Sequence, residues 1–88
     1  MENVKNMSGT FIFEGVYLNG LRNGKGKEYN IYGKLEYEGE WSNGKRHGEG
    51  KEYKYCKIIF EGEYLNGEKY GKGKEYYYFD GYLLFENI

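Results

Sequence analysis

Residues 37–50 read YEGEWSNGKRHGEG. In the strand that holds its start, Leu35, Tyr37, Gly39 and Trp41 share one parity, while Lys34, Glu36, Glu38 and Glu40 share the other. A period of two marks a strand with one apolar face and one wet face. Asn43-Gly44 follows, and Asn-Gly is the strongest short hairpin signal because both residues tolerate left-handed dihedrals. The chain then returns through GEGKEY, so the stretch reads as a β-hairpin.

The same hairpin is written three times. FEGVYLNGLRNGKGKEY runs from 13 to 29, YEGEWSNGKRHGEGKEY from 37 to 53 and FEGEYLNGEKYGKGKEY from 60 to 76. The lead aromatics Phe13, Tyr37, Phe60 and Phe85 recur about every 24 residues, the signature of a repeat architecture. A leading half-unit, GTFIFEG at 9–15, matches GKLEYEG at 33–39. Length differences fall after each KEY, where turns absorb insertions, so 30–33, 54–57 and 77–81 are expected to be turns. Cys56 stands where the other two have Gly33 and Gly81, which predicts a different geometry for the second turn, since glycine takes positive φ freely.

The expected fold class is all-β: a single-layer antiparallel meander of stacked β-hairpins. Residues 1–8 are expected to be a flexible N-terminal segment and 9–88 the array, with units at about 13–36, 37–59 and 60–84 and a partial unit at 85–88. Each unit should advance the sheet by roughly 10 Å. A lone hairpin is not stable in water, so neighbouring units must support one another.

Composition narrows the function. Thirteen Lys and Arg against fourteen Asp and Glu give a formal net charge of −1. Polyanion binders show a basic excess or stripe, so nucleic acid is not expected as a partner. Apolar residues make up 39% and charged residues 31%, with twelve tyrosines, five phenylalanines and one tryptophan. Tyrosine can bury its ring and keep its hydroxyl wet, which suits a thin structure. Cys56 is the only cysteine, so no internal disulfide forms; this fits a reducing, cytoplasmic setting, with a peripheral membrane position as the variant of it. The opening MENVKNMSGT has no apolar signal core, and neither a secretory signal nor a transmembrane helix is expected.

The glycines do not make a phosphate loop, which needs a Gly-Lys-Ser/Thr ending and a following helix. Gly15, Gly39 and Gly62 instead fall between two aromatic residues of one face, where a side chain would collide with a ring or a neighbouring strand. Gly24 and Gly26, Gly48 and Gly50, and Gly71 and Gly73 flank the hairpin loops, where tight packing or unusual dihedrals are needed. His47 is the only histidine and fills a loop position whose repeat equivalents are Asn23 and Tyr70. Cys56 and His47 do not make a zinc site, which usually takes four clustered ligands. Ser8, Ser42 and Asp80 form no nucleophile constellation. No catalytic residue, metal site or cofactor is expected, and no enzyme activity. Glu14, Glu38, Glu61 and Glu86 recur beside Lys27, Lys51 and Lys74, which reads as cross-strand ion pairing worth about 0.2–1 kcal/mol per pair.

Two surfaces remain as candidates. Phe13, Tyr37, Phe60 and Phe85 form one aromatic row and Tyr17, Trp41 and Tyr64 another. In a single-layer sheet part of this face serves as core and part stays open; exposed apolar patches mark partner sites, and Trp and Tyr are favoured hot spots. The basic loop residues Arg22, Lys25, Lys45, Arg46, Lys69 and Lys72 are the alternative, a contact for anionic lipid. The last strand, from Phe85, and the N-terminal strand offer bare edges, so homo-association through terminal strands is expected.

The pieces YEGEW, NGK and HGEG closely resemble the MORN repeat (membrane occupation and recognition nexus), over about residues 9–88. The resemblance implies a stack of β-hairpins that works as a protein-interaction or scaffolding module, often homodimeric or appended to a catalytic domain, with phospholipid binding also proposed for the family. One slot departs from the common pattern: Glu28, Glu52 and Glu75 stand where many units have an aromatic, and Tyr29, Tyr53 and Tyr76 follow one later. That form is similar to MORN-variant repeats of bacterial antitoxin-like proteins, and implies antitoxin-like protein binding as a further alternative. The expected function is a non-enzymatic interaction and scaffolding module that presents the aromatic face to a protein partner.

Overall fold

Alternating sequences joined by turn signals give strands joined end to end. The computed structural model describes the backbone of residues 2–8, 11–79 and 82–87, and the side chains of 12–79, 82 and 83. The strands are β1 (Glu2–Ser8), β2 (Phe11–Leu18), β3 (Leu21–Asn30), β4 (Leu35–Ser42), β5 (Lys45–Lys54), β6 (Lys57–Leu65), β7 (Glu68–Phe79) and β8 (Tyr82–Asn87). They form one antiparallel sheet in sequence order, with no crossover among the described residues. The body measures 42 × 30 × 17 Å. A thinnest dimension of 17 Å leaves room for one sheet and its side chains, so the expected single-layer meander is the observed fold.

The Asn-Gly pairs make tight hairpin turns. Asn19 and Gly20 have φ of 52° and 78°, Asn43 and Gly44 of 50° and 82°, and Asn66 and Gly67 of 51° and 90°. Two successive left-handed residues match the twist of the flanking strands, as in a type I′ turn. Hairpin tips are also tied across units: the Gly44 N–H donates to the Arg22 carbonyl and the Gly67 N–H to the Arg46 carbonyl, each at 2.9 Å. At the other end of the strands, Asn30 organises the β3–β4 turn by accepting through Oδ1 from the Tyr32 and Lys34 N–H groups, at 2.9 and 3.1 Å. The second turn is shorter than the first, but the expected reason fails, since Cys56 takes positive φ as Gly33 does (79°). It is a two-residue turn in which Tyr55 and Cys56 both take positive φ, 52° and 64°.

Three expectations need correction. Glu2–Ser8, expected to be flexible, form β1 and pair along the whole of their length with β2. The outer backbone of β2 carries N–H and C=O groups that a neighbouring strand satisfies, whatever the side-chain pattern of that strand. Residues 77–79, expected in a turn, continue β7 to Phe79. His47, expected in a loop, lies inside β5 and is exposed.

The register explains the inner glycines. Gly15 pairs with Gly26, Gly26 with Gly39, Gly39 with Gly50, Gly50 with Gly62 and Gly62 with Gly73. They form a lane of bare backbone that crosses the strands. Phe13, Tyr37 and Phe60 lie over this lane. A Cβ on Gly50 would come within 2.2 Å of the Tyr37 hydroxyl, and one on Gly26 within 2.3 Å of the Phe13 ring. These glycines are required by close approach, and they let each ring lie flat against the sheet.

The rings above the lane form the core. Phe13 and Tyr37 are 0% exposed, Tyr64 3%, and Trp41 and Phe60 6%. Their contacts run as one file of edge-to-face pairs, Tyr17–Phe13–Trp41–Tyr37–Tyr64–Phe60, with centroids 5.2–5.8 Å apart. Such pairs contribute about 0.5–1.5 kcal/mol each beyond their buried area. The file runs across the strands and from unit to unit, so each hairpin completes the core of its neighbour.

Candidate functional site

The two faces of the sheet are chemically distinct, and each places a different set of expected residues. On the aromatic face, five of the seven candidate rings are buried: Phe13, Tyr37, Trp41, Phe60 and Tyr64. They form the core and offer no open contact surface. The expectation of an aromatic partner-binding face is corrected here, because the rings tilt over the glycine lane and cover one another. Tyr17 is partly buried against the cluster, and the side chain of Phe85 lies outside the described residues.

The same face draws three cations of the expected membrane contact onto its rings. Register places Arg22 opposite Tyr17, Arg46 opposite Trp41 and Lys69 opposite Tyr64, so all three point onto the rings. The Arg22 guanidinium lies 4.5 Å from the Phe13 centroid and 4.8 Å from that of Trp41. Arg46 lies 4.3 Å from the Tyr37 ring, and the Lys69 ammonium 4.2 Å from that of Phe60. Glu28, only 8% exposed, accepts from Arg22 at 2.7 Å and from Arg46 at 3.0 Å. Arg46 reaches on to Glu52 at 3.6 Å, and Glu52 also accepts from the Tyr64 hydroxyl. Arg22, Arg46 and their glutamates form a continuous ionic seam beside the ring file. Lys25, Lys45, Lys69 and Lys72 are exposed, and only Arg22 and Arg46 are partly buried.

The seam accounts for the unusual glutamates. Glu28 sits between Phe13 and Tyr37 across the strands, Glu52 between Tyr37 and Phe60, and Glu75 beside Phe60. Acid and ring alternate along this row. Burial raises the pKa of the Tyr37 hydroxyl to about 12, against a lowering pull from Arg46. Tyr64 is also pushed up, by burial first and by its hydrogen bond to Glu52 second. The phenols are therefore held neutral among the rings.

The opposite face is the expected wet one. Glu14, Lys27, Glu38, Lys51, Glu61 and Lys74 succeed one another across β2 to β7 in direct register. Lys27 reaches Glu38 at 3.7 Å and Lys51 reaches Glu61 at 3.9 Å. Cross-strand pairing, as the sequence suggests, is what these residues do. The late tyrosines join the ladder: the hydroxyls of Tyr29, Tyr53 and Tyr76 donate to Glu14, Glu38 and Glu61 at 3.2, 3.4 and 3.0 Å. Burial, followed by the interaction with that glutamate, raises the pKa of Tyr29 and of Tyr53.

Between this ladder and a second row lies a trough of about 660 Å³. Its floor is the glycine lane at Gly15, Gly26, Gly39 and Gly50. One wall is Glu14, Lys27, Glu38, Lys51 and Glu61; the other is Lys25, Glu40 and Glu49. Five carboxylates thus face three ammonium groups. Glu40 is turned toward the backbone, accepting from the Glu49 N–H at 3.1 Å. Sequence reading missed the trough, although parity held the signal: bare glycines on one face leave a low strip between long side chains on the other.

Among the described residues no three His, Cys, Asp or Glu side chains gather as a metal site, and no helix is long and apolar enough to cross a membrane. A family model for the MORN repeat matches residues 13–30, 37–55 and 60–78, together more than half of the chain. No curated protein matches the sequence.

Proposed function

Because the chain belongs to the MORN-repeat family, a class of non-catalytic interaction modules, we propose that it is a non-enzymatic scaffold that holds a basic, extended segment of a partner protein in the charged trough. One observation carries this reading. With the rings buried, the trough over the glycine lane is a concave surface that crosses several strands, and its walls carry an acid excess. An extended chain matches a groove that crosses several strands, and lysine or arginine side chains match its carboxylates. Complementary charge of this kind sets specificity and on-rate more than raw affinity.

Fluorescence anisotropy with labelled peptides tests it. A peptide alternating Lys and Ala is expected to bind and one alternating Glu and Ala is not. Glu40→Gln with Glu49→Gln should weaken binding of the basic peptide about tenfold, as expected for two charge-assisted contacts. Equal binding of both peptides, or no change in the double variant, would contradict the reading.

A second reading concerns self-association. β1 and β8 each have a neighbour on one side only, and an unpaired strand edge recruits another strand. We propose edge-to-edge dimers through these strands. Sedimentation that stays monomeric at high concentration would rule them out.

A further inference from the structure

The meander sorts its connections to opposite ends of the strands. The Asn-Gly tips lie at one end, and the β3–β4, β5–β6 and β7–β8 turns at the other. The second end holds its rings in water: Tyr32 is 80% exposed, Tyr55 86%, Phe79 74% and Tyr82 78%. At the Asn-Gly end the flanking Leu18, Leu21 and Leu65 are only 40–48% exposed. An exposed apolar fringe of this kind marks an interaction surface, and the charges beside it narrow the choice of partner.

Among the described residues of these turns the only charged groups are cations. Lys34 closes the first turn, and Lys54 and Lys57 flank the second. All three are exposed, and they form no ion pair with any described residue. Lys54 stands directly opposite Lys57 in the register. Like charges so placed destabilise a sheet, and a bound anion would relieve the pair. Segments 30–34 and 54–57 contain no acid; in the third turn the sequence has Asp80, outside the described residues. Glu36, just inside β4, accepts from the Asn30 side-chain amide at 3.1 Å. A net charge of −1 thus hides a division of charge. Carboxylates crowd the trough and the seam, while the turn edge carries a basic stripe, the feature that marks a polyanion binder even without an overall basic excess.

Ring and lysine recur together along this stripe. The Lys54 ammonium lies 5.7 Å from the Tyr55 centroid, and that of Lys57 lies 5.6 Å from Tyr78 in β7. A strand of nucleic acid repeats the complementary pair, one flat base and one phosphate. Every base has a π-face, so stacking on tyrosine tolerates any sequence, while lysines track the backbone. Successive turns recur at roughly 10 Å along the edge, from the strand spacing. An unpaired strand, whose backbone extends freely, can meet such tips one after another. A duplex keeps its bases stacked on each other and offers these rings no open face. A run of acidic side chains matches the lysines but leaves the rings uncovered.

We propose that this turn edge binds single-stranded nucleic acid, with bases stacked on Tyr32, on Tyr55 and on the cross-strand pair Phe79 and Tyr82, and phosphates held by Lys34, Lys54 and Lys57. The site lies at the opposite end of the strands from the basic hairpin loops. It is independent of the trough, whose acid excess repels a phosphate backbone.

Fluorescence anisotropy with a labelled oligothymidylate tests the proposal. The single strand is expected to bind, and the same strand annealed to oligoadenylate to bind at least tenfold more weakly. The logarithm of affinity should fall against that of salt concentration with a slope of about −2, as three phosphate contacts on a single strand require. Lys34→Gln, Lys54→Gln and Lys57→Gln together should bring that slope close to zero; removing the opposed lysine pair relieves the sheet, so this variant stays folded. Tyr55→Asn with Cys56→Gly keeps the left-handed turn in residues that adopt it readily. Combined with Tyr32→Ser, it should weaken binding about tenfold for each ring lost and leave the salt slope unchanged. Lys45→Gln with Lys72→Gln, at the Asn-Gly end, should bind as wild type. No binding of the single strand, equal binding of the duplex, ring variants that bind as wild type, or loss of binding in the Lys45 and Lys72 variant would overturn the proposal. So would polyglutamate that displaces the strand as well as unlabelled oligothymidylate does. Peptide binding in the trough should survive in the turn variants, so the two readings fail separately.

Discussion

The middle repeat (37–53) and the third repeat (60–76) share ten of seventeen residues and differ in how they are held. Tyr37 is fully buried and meets Trp41 on one side and Tyr64 on the other. Phe60, its equivalent, meets Tyr64 as its ring partner among the described residues. Arg46 stacks on Tyr37 and bonds Glu28 and Glu52. Lys69 takes its place in the third repeat and only stacks on Phe60, while Glu75 accepts from the Tyr77 hydroxyl. Five of the ten residues of β5 are exposed, and β7 has no buried residue at all. A repeat of this kind is thus stabilised mainly by what its neighbours lay across it, which is the nearest-neighbour coupling expected of stacked arrays.

The largest effect should come from removing the central ring. Tyr37→Ala opens a cavity, breaks two edge-to-face pairs and uncovers the glycine lane. A loss of about 4–5 kcal/mol is expected, comparable to the whole stability of a chain this size. Phe60→Ala should cost about 1 kcal/mol less, since it breaks one such pair. Urea titrations of the two variants give the difference, and equal losses would break the comparison.

Next in size is the glycine lane. Gly50→Ala forces a Cβ against the buried Tyr37 ring, and about 3 kcal/mol should be lost to overpacking. Gly20→Ala meets nothing within 4 Å and carries only the strain of φ +78°, about 1 kcal/mol. Thermal melts rank the pair, at about 4–8 °C per kcal/mol for a domain of this length.

The ionic seam comes third. Glu28→Ala strands Arg22 against the rings and leaves Arg46 only Glu52, and should cost about 2 kcal/mol, whereas Glu75→Ala, which removes no ion pair of the seam, should cost less than about 0.5 kcal/mol. Lys69→Arg extends the seam toward Glu75 and should stabilise by about 0.5 kcal/mol. If Lys69→Arg is neutral while Glu28→Ala is severe, the third repeat differs in backbone and not only in its cation.

Alkaline pH probes the same contrast. A raised folded pKa gives stability that is complete below the unfolded value and lost as pH climbs through the folded one. Tyr37 contributes in full below pH 10.0 and loses its contribution as pH rises toward about 12. Tyr64, also raised, acts in the same direction. Phenolate absorbance should therefore show a late class of tyrosines that ionises together with loss of the sheet signal in circular dichroism. Complete ionisation before unfolding would contradict the burial of these phenols.

Much of this was legible in the residues. Threefold repetition turned a weak period-two signal into an unambiguous one, and Asn-Gly placed each hairpin. The inner glycines could be assigned to close approach because they alternate with rings. β1 was not legible, since ENVKNMS carries no apolar alternation and its pairing answers the open backbone of β2. Closure of the aromatic face was not legible either, because parity says which rings share a face but not how they tilt. Arg22 and Arg46 were misplaced for a simpler reason. Reading them as loop cations ignored their register opposite Tyr17 and Trp41, a pairing that the Asn-Gly turn already dictates.

Trp41 is the only tryptophan, so its fluorescence reports directly on the ring file. If the rings are core, iodide leaves the native emission nearly unquenched, and access appears only with cooperative unfolding. Emission already quenched by iodide in the folded protein would show an open aromatic face and contradict the account.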